Sequence, residues 1–88
     1  MHDFVVAPLL ERDLRKLKRK DPLRFARVRK KILEVISSDP TRYKNLRYSL
    51  KECKRVHIGS YVLVFMYDAE EGLITFLTYE HHDRVYER

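Results

Sequence analysis

The chain has 88 residues, 44% of them hydrophobic, with six Tyr and four Phe, and carries 19 Lys and Arg against 13 Asp and Glu for a net charge of +6. That length accommodates one domain with one core, taken as residues 1–88, and the apolar and aromatic content is too high for a disordered chain. Cys53 is the only cysteine, which rules out an internal disulfide and any paired-cysteine zinc or redox motif and fits a reducing compartment.

Charged residues occur close to the start, at Asp3 and Glu11, and no apolar run approaches the ~20 residues needed to span a bilayer. The expectation is a cytoplasmic protein with no export signal and no membrane contact.

Asp3 to Ala7 is a short β-prone run, and Pro8 supplies the preset backbone angle favoured in the first turn of a helix. Leu10, Leu14 and Leu17 then share one helical face, with Arg12, Arg15, Lys16, Lys18 and Arg19 around the remainder. Asp21 followed by Pro22 reads as an N-cap acceptor and a first-turn proline, so one helix ends and another begins, forming a hairpin. The second helix runs to about Ile36. Its apolar stripe is Phe25, Val28 or Arg29, Ile32, Val35 and Ile36, and Ser37 to Pro40 closes it.

From Thr41 to Cys53 basic residues alternate with aromatic and aliphatic ones, which suggests an ordered loop or irregular extended segment. Three strands follow, Lys54 to Ile58, Tyr61 to Tyr67 and Leu73 to Glu80, separated by Gly59-Ser60 and by Asp68 to Gly72. The middle strand is apolar on both faces and belongs inside the sheet. The predicted fold class is therefore α+β, a two-helix hairpin packed on an antiparallel sheet in the order β-α-α-β-β-β.

Side-chain alternation assigns the faces. A two-residue turn at Gly59-Ser60 sets Ile58 opposite Tyr61, His57 opposite Val62 and Arg55 opposite Val64. A five-residue loop over Asp68 to Gly72 sets Tyr67 opposite Leu73 and Val62 beside Thr78. Arg55, His57, Thr78 and Glu80 then share the open face, and Val56, Ile58, Leu63, Phe65, Thr75 and Leu77 face the helices.

Charge is unevenly placed. Between Arg12 and Lys31 there are eleven basic residues against Asp13 and Asp21, a local +9, so the rest of the chain is net acidic. A surface so charged repels itself unless it meets a polyanion, which makes nucleic acid the leading partner class over a merely solvated helix face. In the second basic cluster, Arg42 to Arg55, Tyr43 and Tyr48 suit either stacking on unpaired bases or the core. Arg47, Lys51, Lys54 and, past the last strand, Arg84 are the candidate RNA-binding cations.

A dense proton-transfer set follows the last strand in His81-His82-Asp83-Arg84-Val85-Tyr86. His57, His81, His82, Asp83 and Cys53 match none of the usual zinc spacings, so no metal and no cofactor is expected.

The order β-α-α-β-β-β, the run Arg55-Val56-His57-Ile58-Gly59-Ser60-Tyr61 and the closing His-His-Asp-Arg-Val-Tyr together resemble the RelE/ParE toxins of type II toxin-antitoxin systems. The resemblance covers nearly the whole chain. It implies a ribosome-dependent mRNA endoribonuclease that inhibits translation, with the ribosome, mRNA and a cognate acidic antitoxin as partners. It places the catalytic set at His82, His57, Arg55 and Tyr86, with His81 beside them. Imidazoles can act as base or acid, whereas Arg55 can only stabilise charge and Tyr86 can orient a base or substrate group. The departure is Val62, where the family usually carries an arginine after the tyrosine. Two other readings stand beside the ribonuclease: a non-catalytic ParE-like inhibitor of DNA gyrase, and a degenerate relative that only binds antitoxin.

Overall fold

The computed structural model describes residues 1–45 and 53–86. In chain order these form β1 (Asp3–Val6), α1 (Pro8–Lys20), α2 (Pro22–Ser37), a 3-10 turn (Pro40–Arg42), β2 (Cys53–Ile58), β3 (Tyr61–Asp68), β4 (Leu73–His81) and α3 (His82–Tyr86).

Local chemistry sets the helix boundaries. Pro8 and Pro22 open α1 and α2. The Asp21 carboxylate accepts the Arg24 N–H at 3.1 Å, while the Asp21 N–H closes α1 on the Leu17 carbonyl at 2.7 Å. A single residue thus ends one helix and caps the next, leaving few unpaired backbone groups at the sharp reversal. Asp39 caps the 3-10 turn through Thr41.

The sheet is mixed, in the order β1-β4-β3-β2. β2, β3 and β4 form the antiparallel meander expected from the sequence, and β1 joins it in parallel beside β4, with Phe4 opposite Ile74 and Val6 opposite Phe76. The Ala7 N–H extends this pairing to the Phe76 carbonyl at 2.8 Å. The chain between β1 and β4 is long enough to make the crossover that a parallel pair requires.

At the β2–β3 turn the register is the expected one, with Ile58 opposite Tyr61, His57 opposite Val62 and Arg55 opposite Val64. Gly59 has φ 62°, the positive angle that a two-residue hairpin turn demands.

The β3–β4 pairing departs from expectation in two places. Asp68 pairs with Leu73, so the loop has four residues rather than five, and the Asp68 carboxylate accepts the N–H groups of Glu70 and Glu71 at 3.0 and 3.2 Å. This side-chain turn competes with simple ladder closure and moves the register by one. A bulge then leaves Leu77 opposite the step from Val64 to Phe65, moving it by one more. Val62 consequently faces Glu80 rather than Thr78, and Val64 faces Thr78.

The two slips cancel beyond the bulge, so Arg55, His57, Thr78 and Glu80 do share the open face. Between the loop and the bulge they do not cancel. Ile74 and Phe76 are buried against the helices, in place of the expected Thr75 and Leu77. Leu77 packs instead on the open side, with Val62, Val64, Val85 and Cys53.

The main core lies between helices and sheet: Leu10, Val28, Ile32, Val35 and Ile36 meet Leu63, Phe65, Ile74 and Phe76, with Leu14, Leu17, Tyr43 and Val56 at its border. Burying each such large side chain stabilises the fold by roughly 1.5–3 kcal/mol. Of the two alternatives for the α2 stripe, Val28 takes the core position and Arg29 is exposed. Phe25 is half-buried, with the Lys18 ammonium 5.7 Å from its ring centroid. None of the described helices is long and apolar enough to cross a membrane.

Candidate active site on the open face of the sheet

Two rows of side chains cross the open face, Arg55–Val64–Thr78 and His57–Val62–Glu80. They exist because β2 alternates Arg55 and His57 outward with Val56 and Ile58 inward, and because the bulge restores the phase of β4.

The terminal helix α3, which the sequence pattern shows only as an undivided tail, closes one end of this face. Its Val85 is 9% exposed and packs on Val62 and Val64. The His82 N–H donates to the Ser60 carbonyl at 2.8 Å, tying the start of α3 to the β2–β3 turn. This carries the His82 ring to within 5.8 Å of the His57 ring, centroid to centroid, with the planes tilted by 46°. The available signal was an acidic first-turn residue, Asp83, two positions before the apolar Val85, which is a short helix pattern.

Electrostatics divides the two imidazoles. Burial at the sheet surface lowers the pKa of His57 below its usual value, and the Arg55 guanidinium and His82 push it the same way. His57 is therefore biased toward the neutral imidazole that can accept a proton. His82 has the Asp83 carboxylate at 3.4 Å from its Nδ1.

The other candidates are distributed as follows. His81 pairs with Tyr61 across β3 and β4 and so projects to the helix side, away from His57. Its ring meets Tyr61 edge-on at 5.4 Å, and its Nδ1 accepts the Asp83 N–H at 3.2 Å. Tyr86 closes α3, one helical turn after His82. Arg84 lies on α3 and is exposed.

Lys54 alternates to the helix side at the outer edge of β2. It is engaged by the preceding segment, donating to the Tyr43 carbonyl at 3.3 Å and to Asn45 Oδ1 at 3.1 Å. Arg47, Lys51 and Tyr48 lie outside the described residues. Tyr43 packs edge-on against Phe65 at 5.5 Å, which assigns it to the core.

A second cluster, not anticipated from the sequence, lies behind the sheet. The Arg24 guanidinium sits 3.9 Å over the Tyr61 ring, which stacks on Tyr79 at 4.9 Å and 18°. Burial raises the Tyr79 hydroxyl pKa, with Arg24 pulling it the other way. The expected two-helix hairpin places Arg24 near the sheet, and an aromatic just past a hairpin turn was the signal for its partner.

Among the described residues, no three His, Cys, Asp or Glu side chains gather as a metal-binding group.

A helical hairpin behind a four-stranded mixed sheet is the RelE-like α+β fold. The family described as the ParE toxin of the type II toxin-antitoxin system, parDE, matches residues 4–86. The chain belongs to this RelE/ParE superfamily of type II toxin-antitoxin toxins.

A Methanocaldococcus jannaschii protein named "Putative toxin RelE4" is 38% identical over 89 residues, covering 100% of this chain and 94% of that one. An uncharacterised Methanosarcina mazei protein is 41% identical over 71 residues, covering 72% of this chain and 83% of its own. Among solved structures, the isolated E. coli RelE toxin superposes with a TM-score of 0.74 at 18% identity, over 92% of this chain and 84% of that one, a likeness of fold. The Mycobacterium tuberculosis toxin-antitoxin complex RelBE2 gives a TM-score of 0.74 at 27% identity, over 91% of this chain and 90% of the other.

Proposed function

We propose that this toxin is a metal-independent endoribonuclease that cleaves mRNA on the ribosome and is neutralised by an acidic antitoxin. The observation that carries this reading is the approach of His57 and His82, at 5.8 Å, on a face that also presents Arg55.

Attack of a ribose 2′-OH on the adjacent phosphate needs a base, charge stabilisation on the phosphorane and an acid for the leaving 5′-oxygen. The depressed pKa of His57 suits the base, and Arg55 raises this bias while offering a permanent cation to the phosphorane. His82, on the first turn of α3, is then the acid, and Tyr86 stands one turn beyond it to orient a substrate group. Arg84, with Arg47 and Lys51, supplies charge for the RNA backbone, whereas Lys54, turned to the helix side and bonded to Tyr43 and Asn45, does not. The local +9 of the two helices favours both ribosomal RNA and an acidic antitoxin. Relatives of this fold solved as RelBE complexes support the antitoxin as partner.

The test is a translation extract programmed with a defined mRNA. Wild-type protein cleaves the message, and His82→Ala does not. An extract with intact mRNA and halted growth in cells would refute the ribonuclease.

One observation favours a second reading. Val62 stands where an arginine is usual, and it is 0% exposed beneath Val85. A ParE-like inhibitor of DNA gyrase has no need of a phosphate clamp there, and growth arrest with gyrase-linked DNA damage would select it.

A further inference from the structure

Sequence alone groups His81 with the catalytic histidines, yet its surroundings give it different work. It is the last residue of β4, and α3 begins at the next residue. Its Nδ1 accepts the Asp83 N–H at 3.2 Å, the hydrogen bond that a helix N-cap makes to the second residue of its helix. An imidazole nitrogen accepts such a bond through its lone pair, and the Asp83 Oδ2 lies farther from the same nitrogen, at 3.8 Å. The ring is held edge-on to Tyr61 at 5.4 Å, and Tyr61 is itself clamped between Tyr79 and the Arg24 guanidinium.

From these contacts we infer that His81 is a positioning residue, whose imidazole caps α3 and so holds His82 beside His57. The role rests on the ribonuclease reading for its effect on rate, but not for its effect on structure.

The physical reason is the length of α3. Five residues cannot offset the cost of helix nucleation from internal hydrogen bonds alone. Among the described contacts that hold it are Val85 on Val62 and Val64, the His82 N–H on the Ser60 carbonyl, and the His81 cap. Of these three, the cap belongs to a side chain that is half exposed and outside the apolar cluster. In a helix this short, one of the first-turn N–H groups without its acceptor is a large share of the total. His81 also faces the helix side, so a substrate lying between His57 and His82 would not meet its ring.

The experiment compares His81→Ala, which removes the acceptor, with His81→Asn, which restores an oxygen acceptor but cannot transfer a proton. Loss of a cap changes helix population by about three- to thirty-fold. His81→Ala should therefore lower mRNA cleavage on the ribosome within that range, and His81→Asn should recover most of it. In the isolated protein, the nuclear Overhauser contact between the His57 and His82 rings should weaken in His81→Ala and return in His81→Asn.

If His81→Asn is as inactive as His82→Ala, the acceptor alone does not restore function and the inference is overturned. An unchanged ring contact in His81→Ala would overturn it equally. Should the wild-type protein cleave no mRNA, the ribonuclease reading falls, and the ring contact alone still decides whether His81 positions α3.

Discussion

The rings of His57 and His82 lie 5.8 Å apart and tilted by 46°, one rising from an edge strand and the other from the first residue of the terminal helix. Two imidazoles so placed can address one phosphodiester from two sides, which a single ring cannot do when base and acid must act on opposite oxygens. The juxtaposition depends on three pieces of backbone: the two-residue turn at Gly59, the bond from His82 N–H to the Ser60 carbonyl, and the bulge at Leu77 that keeps Thr78 and Glu80 in phase with β2.

A paired mechanism makes a kinetic prediction. His57→Ala and His82→Ala should each lower ribosome-dependent cleavage by about 10²- to 10⁴-fold, the usual contribution of a positioned acid or base. The double variant should lose little beyond the worse single one, because groups acting as a unit are not additive. Primer extension on mRNA recovered from translation extracts measures all three. Multiplicative losses would mean that the rings act in separate steps.

The lowered pKa of His57 also links the site to stability. The protonated form is disfavoured in the fold, so below about pH 6.5, the ordinary histidine value, the unfolded chain takes up the proton first. Stability attributable to His57 is thus present above that value and falls as pH drops toward the folded pKa. His57→Gln removes this component. Between pH 7.5 and 5.5, the urea midpoint of the wild-type protein should fall more than that of the variant, and equal falls would show that His57 is not desolvated in solution.

Much of this arrangement is legible in sequence, and the exceptions have physical causes. The helical hairpin follows from Leu10, Leu14 and Leu17, from the Asp21-Pro22 reversal, and from Val28, Ile32, Val35 and Ile36, all of which act locally. The β2–β3 register follows from Gly59. The β3–β4 register does not, because the Asp68 carboxylate shortens the loop and a bulge has no residue signature in Phe76-Leu77-Thr78. Glu80 lies on the expected face only because two unit shifts sum to two. β1 is legible as a strand but not as a parallel partner of β4, since pairing across so long a separation is a tertiary choice. His81 and His82, adjacent in sequence, fall on opposite sides of the sheet as alternation along a strand requires, and the His82 N–H bond to the Ser60 carbonyl, which the sequence does not announce, holds His82 beside His57.

Val62 offers a test of how firmly α3 seals the face. The side chain is 0% exposed and packs with Val64 and Val85. Introducing the family's more usual residue, Val62→Arg, must either bury a guanidinium or lift α3, and should destabilise the protein by about 2–4 kcal/mol. Val62→Ala, which only leaves a small void, should cost less, about 1–2 kcal/mol. Urea unfolding reads both. A Val62→Arg protein as stable as wild type, with gained cleavage, would mean that α3 moves aside readily and that the clamp position is accessible.

The basic helices are a separate matter from the site. Lys16, Arg19, Lys20 and Arg27 are exposed on α1 and α2, and no carboxylate among the described residues pairs with any of them. Replacing these four by Gln should leave stability within about 0.5 kcal/mol, as for surface positions without specific contacts, with relief of self-repulsion acting in the stabilising direction. If the helices meet RNA, the same variant should weaken binding to ribosomes or to a defined RNA. It should also flatten the slope of log affinity against log salt by about 0.7–0.9 for each phosphate that is no longer neutralised. Counterion release depends on the number of phosphates neutralised rather than on the chemistry at His57 and His82, so this variant should bind less tightly yet cleave bound message at the wild-type rate. Identical salt slopes for the two proteins would show that the charge of α1 and α2 is solvated rather than engaged by nucleic acid.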